Sequence, residues 1–162
     1  MKVPVGVVVE RRKAISQWTD FVWLPVAVLP DVPPAQPWTV LNHEADRTTF
    51  YAGPGMVELF VAGTSNYRDN LVAGPQLWIV LRPTEADPPF QVMSVTADPS
   101  EGEGFSEVGN DIVEPVPMPE SIRKALEAFV AEHHVEQTFY KRKRDRANTE
   151  ALGRHGRTED DR

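Results

Sequence analysis

Short apolar runs recur along the chain at a period of two, broken by glycine, proline and charge, and only one long stretch carries a helical period. "VPVGVVVERR" places Val5, Val7 and Val9 on one face and Gly6 and Val8 on the other, so both faces are apolar. A β-branched run of this kind reads as a central strand. "VWLPVAVLP" is similar, but Pro25 cannot donate to a ladder, which predicts an edge, a bulge, or a strand starting after it. Pro30, Pro33, Pro34 and Pro37 form a stiff connection. "WTVLNHE" and "RTTFYAG" then read as a hairpin around a polar link, and "MVELF" as a further alternating piece. "SNYRDNLVAG" predicts a short strand or one helical turn. "QLWIVLR", launched by Gly74-Pro75, is the second central-strand candidate, and "FQVMSVTA" has the alternation of a half-buried strand.

Between residues 98 and 117 the regular pattern fades into Gly, Pro and acid, with one strand or docked loop expected through Phe105, Val108 and Ile112. A helix follows, because Ile122, Ala125, Leu126, Phe129, Val130 and His133 recur at three- and four-residue steps. Pro119 suits its first turn and Glu120 its positive end. The expected fold is therefore mainly β: an antiparallel sheet curled into a barrel or folded into a sandwich, with one C-terminal helix packed against it. One β-rich domain over residues 1–137, helix included, and a basic tail over 138–162 are the expected division of the 162 residues.

Charge changes this picture more than composition does. The net charge is −7, yet residues 141–162 hold eight basic and five acidic side chains, against nine and nineteen in residues 1–140. A phosphate backbone would be repelled by the body and attracted by the tail, so nucleic-acid binding ranks below protein contact. Within "FYKRKRDR", Phe139 and Tyr140 offer contact area, and Lys141, Arg142, Lys143, Arg144 and Arg146 offer charge for a carboxylate-rich partner. Arg11 and Arg12, where the first apolar strand ends, are the other candidate partner contacts; structural pairing with carboxylates is the plainer alternative.

No catalytic constellation is visible. Cysteine is absent, which removes disulfides, thiolate ligands and a cysteine nucleophile. His133 and His134 are adjacent and point about 100° apart on a helix, unlike the four-residue spacing that lets two imidazoles share a metal. No metal or cofactor is expected. The nine acids from Glu85 to Glu120 lack the ordered ligand pattern of a calcium loop, and the turn glycines lack the lysine of a phosphate loop. No apolar run suits a leader or a membrane span, so the expected residence is cytoplasmic.

"VPVGVVVERR", "WLPVAVLP", "PWTVL", "FYAG", "DIVEPVPMPESI" and "FVAEHHVEQTFYKRKRDR" together resemble the bacterial domain-of-unknown-function family 3305, over roughly residues 3–147. The resemblance carries no catalytic residues to this chain. It implies a small accessory protein, of a kind often encoded beside molybdenum-dependent formate dehydrogenase components and their maturation factors. The expected role is thus noncatalytic help in the assembly, maturation or regulation of a formate-dehydrogenase-type oxidoreductase, with a subunit or maturation factor as partner. Two alternatives stand beside it. One is a carrier of a small anion or molybdenum-cofactor precursor, touching Arg11, Arg12 and Arg68; the other is nucleic-acid binding through the tail.

Overall fold

The first apolar run becomes β1 (Lys2–Lys13), an inner strand. Its Val5, Val7 and Val9 are fully buried and Val8 nearly so, as a strand covered on both faces requires. The structure, a computed structural model, describes residues 1–15, 20–107 and 109–133. β1 pairs antiparallel with β2 (Phe21–Leu29) on one side and with β4 (Arg47–Glu58) on the other. β3 (Thr39–Glu44) adds to β4, giving the order β2-β1-β4-β3. Pro25 behaves as its chemistry demands: β2 is an outer strand, and the register slips between Val8 and Val9, where β1 faces Ala27 and then Pro25. The predicted hairpin is β3–β4, with Ala45 and Asp46 as its turn. β4 runs on through Gly53-Pro54-Gly55 into "MVE" rather than stopping before it. Gly53, at φ 138°, makes that passage possible in a region side chains avoid.

The second sheet has the order β6-β5-β7. β5 (Gln76–Pro83) is central, as expected, between β6 (Phe90–Thr96) and β7 (Ile112–Pro117), all antiparallel. The curled barrel or sandwich predicted from sequence is therefore incorrect. The strands form two separate open sheets, and each strand order ends in outer strands instead of returning to its start. Period-two patterning marks a strand but not the sheet it joins, because pairing is decided by distant partners.

The expectation of a single helix is also corrected. A 3₁₀ turn (Val61–Gly63) leads into α1 (Thr64–Ala73), and α2 (Pro99–Ser106) occupies the stretch read as irregular. α1 seats Tyr67 in the core, 6.2 Å from the Phe129 ring, and is fixed further by polar bonds. The Asn70 amide donates to Gln76 O at 2.8 Å and Ala97 O at 2.9 Å and accepts from Gln76 N at 3.0 Å. Asp98 caps α2 by accepting from Ser100 N and Glu101 N, with Pro99 in the first turn. Gly102 is required there, since a Cβ would stand 2.5 Å from the Trp78 ring. The predicted helix is α3, residues 120–133 as far as described; its Ile122, Leu126, Phe129 and Val130 join the core with Val5, Val7, Leu77, Ile79 and Leu81.

Candidate functional site

Alternation along β1 sends Arg11 and Arg12 to opposite faces. Directly opposed residues of an antiparallel pair share a face. Arg11 lies opposite Trp23 of β2 and Thr48 of β4, one step beyond Val9, which faces Phe50. Its guanidinium therefore ends up over aromatic rings, 4.4 Å from the centroid of Phe21, 5.3 Å from Phe50 and 5.6 Å from Trp23. These rings continue into a cluster: Trp23 stacks on Phe50 at 5.8 Å and meets Trp38 at 5.9 Å and Phe90 at 5.8 Å. Trp38 sits at φ 71°, a strained position for a bulky residue, where the proline-rich connection enters β3. The electron-rich ring faces favour the cation without neutralising it, by about 0.5–2 kcal/mol. Among the described residues, neither Arg11 nor Lys13 has a carboxylate within ion-pair distance.

These two cations line a hollow of about 240 Å³ with Phe21, His43, Arg47 and Thr48; Ala45 and Asp46 are the other described residues of its lining. Thr48 is buried, and its hydroxyl stands 2.8 Å from His43 Nδ1, which fixes the imidazole at the rim. Lys13 N donates to Asp46 O at 3.0 Å, tying the end of β1 to the β3–β4 turn. The site is thus built from all four strands of the first sheet and the β3–β4 turn.

Arg12 has a different fate. It shares the far face with Glu10, whose side chain is only 8% exposed, and ion-pairs with it; Arg47 Nε approaches the same carboxylate at 3.8 Å. Burying a carboxylate requires such partners. Of the two arginines expected as contacts, Arg11 lines an open hollow and Arg12 is engaged internally. Arg68 lies on α1 and is not part of the hollow's lining. The remaining candidates, Phe139, Tyr140, Lys141, Arg142, Lys143, Arg144 and Arg146, lie outside the described residues, as does His134. His133 packs at 4.6 Å from the Phe129 ring, with Glu132 3.7 Å away.

The acid-rich stretch is divided among separate tasks. Arg82 makes a forked pair with Asp111, at 3.1 and 3.3 Å, and Asp98 caps α2. Arg123 pairs with Glu120 and holds its carboxyl below the usual range, a shift opposed by partial desolvation. Glu101 enters a second hollow of about 250 Å³ with Met56, Glu58, Phe60 and Thr96. Burial, then the charge of Asp98, push its carboxyl upward; a hydrogen bond with Thr96 opposes this and Glu58 adds to it. Among the described residues, no group of three or more His, Asp or Glu side chains is placed to hold a metal ion, and no helix is long and apolar enough to cross a membrane.

Sequence reasoning assigned no role to Lys13, Phe21, His43, Arg47 or Thr48. Their shared site depends on the register by which β1 takes β2 and β4 as neighbours, and the sequence signal is limited to cations and a histidine at strand ends. No curated protein and no solved structure matches the chain. The family described as protein of unknown function (DUF3305) matches residues 4–143, a span that takes in all but the first two residues of β1, every later element, and the described residues lining the cationic hollow. The chain belongs to the DUF3305 family.

Proposed function

We propose that the protein is a noncatalytic accessory protein that assists the assembly, maturation or regulation of a formate-dehydrogenase-type oxidoreductase, and that it works by holding an anionic group in the hollow beside Arg11. The carrying observation is that Arg11 is positioned over three aromatic rings with no carboxylate partner among the described residues. A cation fixed in advance loses little freedom when an anion arrives, so it suits recognition. The oxidoreductase part of the reading is supported by the family resemblance, whose members are often encoded beside such enzymes. A molybdenum-cofactor precursor is the small-molecule form of the same reading. The test is affinity isolation from the native cell at low salt, comparing wild type with Arg11→Gln. Recovery of a formate-dehydrogenase component by wild type and its loss in the variant supports the proposal; equal recovery by both contradicts it.

A second reading rests on the contrast between an acidic body and the cations of residues 141–146. Here the terminal segment docks on a carboxylate-rich surface of the enzyme subunit. Charge reversal at Arg142 and Arg144 weakens a salt-sensitive complex under this reading. It leaves the complex intact if the hollow alone makes the contact.

A further inference from the structure

Several features compete for a further role. The hollow around Glu101 is an acidic cluster whose buried neighbour Thr96 already has partners, so it points to no ligand. β3 is exposed along its whole length, with Val40 and Leu41 about half exposed, but its register breaks between Val40 and Asn42, which blunts it as a template for another strand. The hollow at the end of β1 carries further.

We propose that this hollow is a binding site for small phosphate monoesters bearing a flat apolar substituent. This rests on the reading of the hollow as an anion site and narrows it. Charge comes first. Arg11 and Lys13 share the hollow's face of β1 without a carboxylate partner among the described residues, whereas Arg47, opposite Arg12, lines the hollow but turns its guanidinium to Glu10 on the far face. Asp46 is the acidic residue among the described lining. One guanidinium satisfies a carboxylate through its two-pronged fork, so a carboxylate held by Arg11 would leave Lys13 unmatched. A phosphate monoester carries close to two negative charges and three acceptor oxygens at neutral pH. Its oxygens can engage Arg11 and Lys13 together.

Donor chemistry agrees. The Thr48 hydroxyl and His43 Nδ1 are hydrogen-bonded at 2.8 Å. The tautomer in which Thr48 donates to Nδ1 places the imidazole proton on Nε2, from which His43 can donate at the rim. A guanidinium, an ammonium and an imidazole N–H offer the varied donor angles that a tetrahedral anion accepts. Size and polarity supply the rest. About 240 Å³ lies below the range of drug-sized sites, which selects a small ligand. Phe21, 39% exposed and beneath Arg11, offers an apolar wall for a flat substituent.

The full-length protein is titrated calorimetrically at low salt with phenyl phosphate, inorganic phosphate and benzoate. Phenyl phosphate is expected to bind about tenfold more tightly than either of the others. Arg11→Gln and, separately, the exposed Lys13→Gln are each expected to weaken it about tenfold, whereas Arg12→Gln changes it less than about threefold. Far-ultraviolet circular dichroism checks that each variant folds, and Lys13→Gln keeps the test decisive should Arg11→Gln disturb the aromatic cluster. Benzoate binding as tightly as phenyl phosphate overturns the phosphate assignment but leaves the anion site standing. Inorganic phosphate binding equally well removes the apolar substituent from the proposal. No binding by any of the three, or binding unaffected by both Arg11→Gln and Lys13→Gln, overturns the proposal and the anion-site reading together.

Discussion

The β1–β4 ladder ends in two hollows of nearly equal size and opposite character. At one end Arg11, Lys13 and Arg47 line about 240 Å³; toward the other, Glu58 and Glu101 line about 250 Å³. The pairings Arg12 with Arg47 and Lys2 with Glu58 mark the two ends. Volume therefore does not separate them. What separates them is how each holds its charge. Arg11 rests on ring faces that favour a cation and leave it charged, so the site is poised for an anion. Burial, then Asp98 and Glu58, push the Glu101 carboxyl upward against a hydrogen bond with Thr96, so that end disfavours its own charge. A ligand site and a titrating site can share one ladder because their supporting shells differ.

Removing the aromatic support breaks the comparison most severely. Phe50 is 5% exposed and lies beneath both Arg11 and Trp23. Phe50→Ala should cost about 3–5 kcal/mol, read by urea denaturation, and should abolish phenyl phosphate binding. A destabilisation below about 1 kcal/mol would mean that the rings are not a packed base. Glu10→Ala attacks the far face of the same strand. It should cost about 1–2 kcal/mol, less than for a fully buried pair, because Arg12 and Arg47 remain half exposed and rehydrate. Anion affinity should change little, and a large loss would show that the two faces of β1 are coupled.

Much of this frame is legible in the sequence, for identifiable reasons. β1 and β5 are inner strands buried on both faces, so they appear as nearly continuous apolar runs; Pro25 announces an outer strand by the donor it lacks. α3 shows its stripe because one face alone meets the core. α2 stays hidden because Gly102 and Gly104 dilute its helical character, and Gly102 is there for Trp78, a contact no local pattern reveals. Its start was nonetheless written in "DPSE", an N-cap, a proline and a first-turn acid. For the site, the position of Arg11 at a strand end could be read directly. Its separation from Arg12 follows from alternation, but Thr48 and His43 arrive through β4 and β3, and pairing over that distance has no local signature.

A smaller effect sharpens the acidic side. A carboxyl whose folded pKa is raised favours the fold below its unfolded pKa, and this contribution is lost as pH rises through the folded value. Ionised Glu101 is thus a burden at neutral pH. Glu101→Gln should raise stability at pH 7 by less than about 1 kcal/mol, since the group is largely open to solvent. That gain should vanish when the pH falls below the ordinary carboxylate range. Thermal denaturation of both proteins across this interval checks it, and a gain that grows toward acid pH would reverse the assigned sign.

The central claim is that charge held on rings makes the Arg11 end, and not the Glu101 end, the place where a ligand binds. Backbone amide shifts of the full-length protein titrated with phenyl phosphate test it directly. The account predicts saturable shifts gathered at Arg11, Lys13, His43 and Thr48, with Glu58 and Glu101 unmoved. Shifts centred elsewhere, or a pattern that Arg11→Gln leaves unchanged, would contradict it.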